Sequence, residues 1–289
     1  MIPDPPYVLT PGRIPLLVSF PHVGTALPPG LAERLSPQAG TLPDTDWLLP
    51  DLYDFLHAMG ASRIVARYSR YVVDLNRPAT DESLYPGQTT TGLFPAETFD
   101  GGPVWRIPLT AAEKTAHRER IWAPYHAALA AELQRIRAAH GYALLWDAHS
   151  IAPVLPRLFP GRLPDLNLGS NDGRACPPAV AAAVLDAARS AAGMTAVLDG
   201  RFKGGHITRS YGQPAQGVHA LQLELSQATH LAPRPAAAPA AVPPDPPLTP
   251  ALDPAATAGL RPVLRRLLET FLAAAAAHHP AAPLTGPRQ

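Results

Sequence analysis

Three apolar runs in this chain each end on side chains that bind metals or carboxylates. The runs are residues 16–20, followed by Pro21 and His22; residues 71–75, followed by Asn76 and Arg77; and residues 143–146, followed by Asp147, Ala148 and His149. Runs of about five residues rich in valine, leucine and aromatic side chains predict buried strands. Because ligands bind beyond the carboxyl ends of strands in open α/β sheets, we expect these polar residues to meet at one sheet edge. The pattern predicts a metal hydrolase that acts on an acidic substrate.

Helical patterns alternate with the apolar runs, which predicts an α/β fold with a mixed, largely parallel sheet. Thr110 and Glu113 form a capping box, and the helix that they begin is expected to reach about Ala139 before Gly141 ends it. Pro124 is expected to bend this helix. Further helices are expected over 47–59 and 178–192, and strands over 63–67, 194–198 and 218–225. We expect the strand at 63–67 to pair with the run at 71–75.

Length and composition restrict the class of protein further. The chain has 289 residues, a net charge of +1 and charged residues at 16%. We expect a single hydrolase domain over 1–289, in which a Pro- and Ala-rich connector at 232–250 leads to a C-terminal helix at 251–277. The near-neutral charge argues against nucleic acid or a membrane surface as a partner. One cysteine, with neither a signal peptide nor a membrane-spanning stretch, predicts a cytoplasmic protein.

His22 and His149 are the candidate metal ligands, since each follows an apolar run, although a single histidine is more often structural. A catalytic zinc site takes three protein ligands and leaves one position open for water. The third ligand would be Asp44 or Asp46, which come just before a predicted helix, where Asp46 could instead be the N-cap. Asp147 could orient a ligand histidine or be a turn residue.

Two places in the sequence offer cations that could bind substrate carboxylates. The guanidinium of Arg77 suits bidentate binding of a carboxylate and Asn76 adds a donor, whereas Arg77 taken alone is more typical of a surface ion pair. A glycine-flanked loop at 204–212 carries Arg209, which could bind a second carboxylate, and His206, which could bind a metal or polarise a carbonyl. The alternative for this loop is a hairpin with solvated charges.

Glu224 is the candidate general base, because it interrupts the apolar strand expected at 218–225. An unpaired buried carboxylate is costly, so it needs a partner or a function. A raised pKa at Glu224 would suit the removal of a proton from metal-bound water. The alternative is a half-exposed strand face that Glu224 shares with Gln222.

Seven short segments, in consistent order over about residues 16–230, resemble the N-formylglutamate amidohydrolase (deformylase) family. The segments are Phe20-Pro21-His22-Val23-Gly24-Thr25, Asp44-Thr45-Asp46-Trp47, Val73-Asp74-Leu75-Asn76-Arg77-Pro78, Leu84-Tyr85-Pro86-Gly87, Asp147-Ala148-His149-Ser150-Ile151, Gly205-His206-Ile207-Thr208-Arg209 and Leu223-Glu224-Leu225-Ser226-Gln227. Each segment alone is weak evidence, and together they are specific.

The resemblance implies a fold and roles for the site residues. The family is similar to zinc carboxypeptidases and aspartoacylases, which are three-layer α/β/α sandwiches around a mixed sheet. Those relatives bind zinc with His-x-x-Glu and a later His, and they use an Asn-Arg pair for the substrate carboxylate and a late Glu as base. His22, Asn76-Arg77, His149 and Glu224 follow this order. Because Thr25 stands where the relatives have Glu, Asp46 is the expected third ligand.

By resemblance, the protein would hydrolyse N-formyl-L-glutamate to L-glutamate and formate, the last step of one route of histidine breakdown. The implied cofactor is Zn²⁺, with Co²⁺ or Mn²⁺ also compatible with two histidines and a carboxylate. Glu224 and His206 would be catalytic, and Asn76, Arg77 and Arg209 would bind the substrate. The alternatives are a zinc amidohydrolase or carboxypeptidase-like enzyme acting on another N-acyl amino acid or peptide, and a non-catalytic binder of acidic metabolites. We expect a monomer or a small homo-oligomer.

Overall fold

The computed structural model describes residues 5–83, 90–233 and 250–279, which contain a seven-stranded sheet. Its strands are β1 (Tyr7–Thr10), β2 (Leu16–Phe20), β3 (Ser62–Ala66), β4 (Ala143–Ile151), β5 (Leu166–Gly169), β6 (Ala196–Leu198) and β7 (Val218–Ser226). Their spatial order is β1-β3-β2-β4-β7-β5-β6. The segment 84–87 and most of the connector at 232–250 lie outside the described residues.

The sheet is mixed and largely parallel, as predicted. β2 pairs in parallel with both β3 and β4, β4 with β7, and β5 with β6. The pairs β1–β3 and β5–β7 are antiparallel. The three adjacent parallel strands β2, β4 and β7 form the centre of the sheet, so their carboxyl ends lie side by side.

Helices cover both faces of the sheet and make the fold a three-layer α/β/α sandwich. They are α1 (Leu49–Leu52), α2 (Leu56–Met59), α3 (Ala111–His117), α4 (Ala123–His140), α5 (Pro178–Arg189), α6 (His206–Tyr211) and α7 (Pro254–His278). On one face, α1, α2, α5 and α7 pack on side chains such as Val18 and Trp146. On the other face, α4 packs on Leu17 and Leu145. No helix within the described ranges is long and apolar enough to span a membrane.

The helix expected from the capping box runs from residue 111 to 140 without a break. Thr110 accepts a hydrogen bond from the Glu113 amide, and Gly141 ends the helix in the left-handed conformation. A π-helical turn, Arg118–Trp122, joins α3 to α4 and ends two residues before Pro124. Proline lacks an amide hydrogen and its ring displaces the preceding turn, so a widened turn is a natural result where a bend was predicted.

Several sequence predictions about local structure are wrong. Residues 71–75 form a buried loop, because β3 already has β1 on one edge and β2 on the other. The predicted helix at 47–59 is divided into α1 and α2 by a turn at 53–55, and the predicted loop at 204–212 contains α6. Strand β4 extends to Ile151, so Asp147 and His149 lie inside the strand.

Candidate active site

The predicted histidines and the predicted base meet at the carboxyl ends of the central strands. His22 follows β2, His149 lies near the end of β4 and Glu224 near the end of β7. Asp46 comes from the loop before α1, and its amide donates to the His22 carbonyl at 3.0 Å. This backbone hydrogen bond explains how a loop residue distant in sequence from His149 reaches the same sheet edge.

His22, Asp46 and His149 form a buried group of metal-binding residue types. One potential ligand atom from each lies within 4.8 Å of the others. Oδ2 of Asp46 is 3.0 Å from Nδ1 of His149 and 3.7 Å from Nδ1 of His22. Two imidazole nitrogens and one carboxylate oxygen therefore converge, which is the donor set of a three-ligand catalytic zinc site. The arrangement fits a divalent metal ion.

A second carboxylate contacts each histidine at Nε2, the ring nitrogen that does not face Asp46. Nε2 of His22 is 2.7 Å from Asp74, and Nε2 of His149 is 3.0 Å from Asp147. In metal sites such carboxylates fix the orientation of the ring and raise the basicity of the ligand nitrogen. Asp147 was a predicted partner, whereas sequence reasoning missed Asp74. The signal for Asp74 was its place two residues before Asn76 in a segment that matches the family.

The surroundings of His22 and His149 shift the pKa values of the two imidazoles in opposite directions. Burial and the nearby Arg70 guanidinium lower the pKa of His22. Burial would also lower the pKa of His149, but Asp147 and Asp46 raise it well above its ordinary value. Burial opposes ionisation of Asp74 as well, yet Arg70, which donates to it at 2.7 Å, helps to hold its pKa well below the ordinary value.

The structure distinguishes the two candidates for the third ligand. Asp44 accepts hydrogen bonds from the Tyr71 hydroxyl at 2.7 Å and from the Phe99 amide at 3.0 Å. Both bonds use Oδ2 of Asp44 and fix the loop that precedes α1. Asp46, and not Asp44, belongs to the group formed with the histidines in the described residues.

Glu224 faces the same cavity as the metal-binding group. It is directly opposite His149 in the parallel pairing of β4 and β7, so both side chains lie on one face of the sheet. The Glu224 side chain is buried, with 8% of the residue exposed. Burial raises its pKa to about 8. The predicted alternative, a half-exposed strand face, is wrong because Gln222 and Glu224 both lie on the covered face.

The cavity next to this group is rich in arginine. The described residues that line it include His22, Asp46, Arg70, Asn76, Arg77, Thr91, His149, Arg201, Phe202, Gln222 and Glu224. Arg77 donates to the Thr91 carbonyl at 2.6 Å and to its hydroxyl at 3.1 Å. Arg201 donates to the Leu158 carbonyl at 2.7 Å. Sequence reasoning missed Arg201, which lies three residues before the 204–212 loop that the sequence analysis singled out.

Asn76 lies at the site with protein partners on both ends of its amide. Its nitrogen is 3.0 Å from Nε2 of His149, and its oxygen accepts from the Ile207 amide at 2.8 Å. These contacts link the 72–77 loop to β4 and to the start of α6. Asn76 therefore has a structural role in holding the 72–77 loop, in addition to the predicted contact with substrate.

The sequence analysis predicts His206 as a catalytic residue and Arg209 as a substrate-binding residue of the cavity. Neither is among the described residues that line it. His206 begins α6, and its ring lies 5.4 Å from that of His126 and within 3.0 Å of the Ser210 hydroxyl. Arg209 donates to the Gly204 carbonyl at 2.8 Å. The loop expected here is helical, and the helix directs both side chains to other contacts.

The fold and the site are those of an α/β/α hydrolase in which residues of metal-binding types lie beside a buried carboxyl group. A family model described as N-formylglutamate amidohydrolase matches residues 14–231. The chain therefore belongs to the N-formylglutamate amidohydrolase family, which confirms the resemblance found in the sequence.

Two curated relatives and two solved structures are similar to the chain. N-formylglutamate deformylase of Pseudomonas aeruginosa is 50% identical over 264 residues, which is 91% of this chain and 94% of that protein. The Pseudomonas putida enzyme of the same name is 51% identical over 222 residues, or 76% of this chain and 83% of that protein. An N-formylglutamate amidohydrolase from Ralstonia eutropha JMP134 superposes with a TM-score of 0.71 at 23% identity, covering 94% of this chain and 98% of that one. A protein from Agrobacterium tumefaciens superposes with a TM-score of 0.67 at 18% identity, covering 92% and 94%. The last two likenesses confirm the fold.

Proposed function

We propose that this protein is a metal-dependent amidohydrolase that converts N-formyl-L-glutamate to L-glutamate and formate. The observation that carries the proposal is the convergence of His22, Asp46 and His149 beside Glu224 in one cavity. Identity of 50% over most of the chain to a curated N-formylglutamate deformylase supports the choice of substrate. Zn²⁺ is the proposed metal, and the same donors are compatible with Co²⁺ or Mn²⁺.

Arginines that line the cavity are the proposed anchors for the two substrate carboxylates. Arg70 forms a buried ion pair with Asp74 at 2.7 Å, so we assign the two substrate carboxylates to Arg77 and Arg201. This assignment replaces Arg209 of the sequence prediction with Arg201. Two guanidinium groups at one cavity favour a dianionic substrate, because each can form a bidentate pair with a carboxylate.

Glu224 is the proposed general base and acid. A metal ion bound by His22, Asp46 and His149 would supply a Lewis acid and lower the pKa of a water molecule. Glu224 takes the proton from the attacking water as the new C–O bond forms at the formyl carbon. It then gives that proton to the amine nitrogen as the C–N bond breaks, which yields formate and the free amino group of glutamate. Burial in the cavity keeps the carboxyl close to the pKa that both steps need.

Formate release from N-formyl-L-glutamate tests the proposal most directly. The purified protein is assayed as prepared, after treatment with a chelator, and after zinc is added back. Release that is lost with chelator and restored by zinc supports the proposal. Release that chelator leaves unchanged would contradict the metal, and hydrolysis of N-acetyl amino acids or peptides alone would contradict the substrate. Binding of N-formyl-L-glutamate without turnover under all three conditions would favour a binding protein.

A further inference from the structure

One face of the 111–140 helix donates hydrogen bonds to the 72–77 loop. Nε1 of Trp122 donates to the Arg77 carbonyl at 2.9 Å, and Nε2 of His126 lies 2.9 Å from the Leu75 carbonyl. Nδ1 of His117 is 3.2 Å from the Val72 carbonyl. Three side chains of one helix thus contact three carbonyl oxygens of one short loop.

The π-helical turn explains why these side chains share a face. Trp122 and His126 are four residues apart, which places them on one side of an α-helix. His117 and Trp122 are five residues apart, and in an uninterrupted α-helix they would point in divergent directions. The π turn at Arg118–Trp122 absorbs one extra residue, so this spacing of five acts as a spacing of four.

Ring packing adds rigidity to the same face. The rings of Trp122 and His126 stack with centroids 3.9 Å apart, and the ring of Tyr211 in α6 lies nearly parallel to that of His126 with centroids 5.9 Å apart. The Tyr211 hydroxyl lies 3.0 Å from Nδ1 of His126. The indole and imidazole donors are therefore held in place by aromatic contacts from a second helix.

The 72–77 loop carries groups that the proposed reaction needs. Asp74 supports His22, Asn76 contacts His149, and Arg77 lines the cavity. The loop lies outside the sheet, so strand pairing does not set the position of these residues. Other contacts must therefore fix the backbone, and the carbonyl of Arg77 itself receives the Trp122 indole.

We propose that Trp122 and His126 are positioning residues for Arg77, and that the π turn places His117 on the same helix face so that it also contacts the 72–77 loop. The inference rests on the proposed function, in which Arg77 binds a substrate carboxylate. Loss of the indole donor would let the Arg77 backbone move and weaken substrate binding. It would leave the chemical step intact, because the hydrogen bond and ring contacts of Trp122 within the described residues are to Arg77, His126 and His206, and not to Glu224 or the metal-binding group.

Trp122→Phe tests the proposal, with Trp105→Phe as the matched control. Trp105 is also half-buried, and its indole donates at 3.0 Å to the carbonyl of Pro95, which does not belong to the 72–77 loop. In the zinc-loaded enzyme, W122F should raise KM for N-formyl-L-glutamate about fivefold or more while kcat changes less than about threefold. W105F should leave both constants at the wild-type values, and zinc content should be unchanged in both variants.

Amide hydrogen exchange supplies a readout that does not depend on turnover. Exchange in peptides that cover residues 72–77 should become faster in W122F and stay at the wild-type rate in W105F. If W122F folds poorly, His126→Phe, which removes the donor to Leu75, should give the same local increase. Equal KM values and equal exchange rates in W122F and W105F would overturn the proposal. Absence of formate release by the wild type would instead refute the proposed function, and the exchange comparison would still decide the positioning role.

Discussion

His149 and Glu224 are paired residues on adjacent parallel strands, near the carboxyl ends of β4 and β7. The pairing fixes one imidazole of the metal-binding group and the buried carboxyl on the same face of the sheet. The two strands are nine residues long each and pair along their full length. The relation between the proposed ligand and the proposed base is thus set by the most extensive strand pairing in the described sheet.

Glu224→Gln should abolish turnover and preserve binding. The amide has nearly the same shape but cannot accept the proton of the attacking water, so kcat should fall by about 10² to 10⁴. The zinc content and the affinity for N-formyl-L-glutamate, measured by calorimetry, should stay close to the wild-type values. Turnover within a factor of about ten of the wild type would show that another group is the base.

Asp46→Asn and Asp44→Asn form a matched pair that tests the third ligand. Both remove one charge from the same loop, but only Asp46 lies in the group with the two histidines. D46N should reduce zinc affinity by more than about a hundredfold, beyond the loss typical of an indirect partner. D44N should bind zinc normally and lose thermal stability, since Asp44 ties Tyr71 and Phe99 together. Normal zinc binding by D46N would remove Asp46 from the site.

The sequence predicted the positions of site residues at the ends of strands better than the positions of those in loops. Apolar runs with an abrupt polar end identified His22 and His149, and the isolated carboxylate in an apolar strand identified Glu224. Side chains alternate between the two faces of a strand, so Glu224 must share a face with Gln222. That face is buried in the structure. The capping box and Gly141 likewise gave the ends of the 111–140 helix, since both signals are local.

The remaining errors have a common physical origin in long-range contacts. The apolar run at 71–75 is typical of a strand, but both edges of β3 are occupied and the run is buried as a loop instead. Arg77 lines the cavity all the same, and its carbonyl accepts a hydrogen bond from a distant helix that no local pattern reveals. The region around His206 and Arg209 was predicted as a loop because α6 is only six residues long and glycines flank it.

Arg201→Gln and Arg209→Gln should differ in their effect on substrate binding. Arg201 lines the cavity and is a proposed carboxylate anchor, so R201Q should raise KM for N-formyl-L-glutamate about 10- to 100-fold, as expected for a lost charged hydrogen bond. R209Q should change KM less than about threefold. The same assay with N-formyl-L-glutamine shows which carboxylate Arg201 binds, because loss of the preference for glutamate in R201Q would indicate the side-chain carboxylate. A larger effect of R209Q than of R201Q would restore the original assignment.

His126 should make the stability of the protein depend on pH. Burial, together with His206, lowers the pKa of His126 to about 3 from an ordinary value of 6.5. Between about pH 6.5 and pH 3, His126 is therefore protonated in the unfolded chain and neutral in the folded protein. The unfolded chain binds more protons in this range, so the free energy of unfolding falls as the pH falls. The full contribution of a neutral, buried His126 is present above pH 6.5.

Urea unfolding of metal-free wild type and His126→Phe at pH 7 and pH 5 measures this dependence. Phenylalanine cannot titrate, so the variant should lose less free energy of unfolding than the wild type between the two pH values, by up to about 1.4 kcal/mol per pH unit. The comparison uses the difference between pH values, so any loss of packing in the variant cancels. Equal losses in the two proteins would mean that His126 binds a proton in the folded state as readily as in the unfolded chain. In that case the hydrogen bond from His126 to the Leu75 carbonyl would not require a neutral ring.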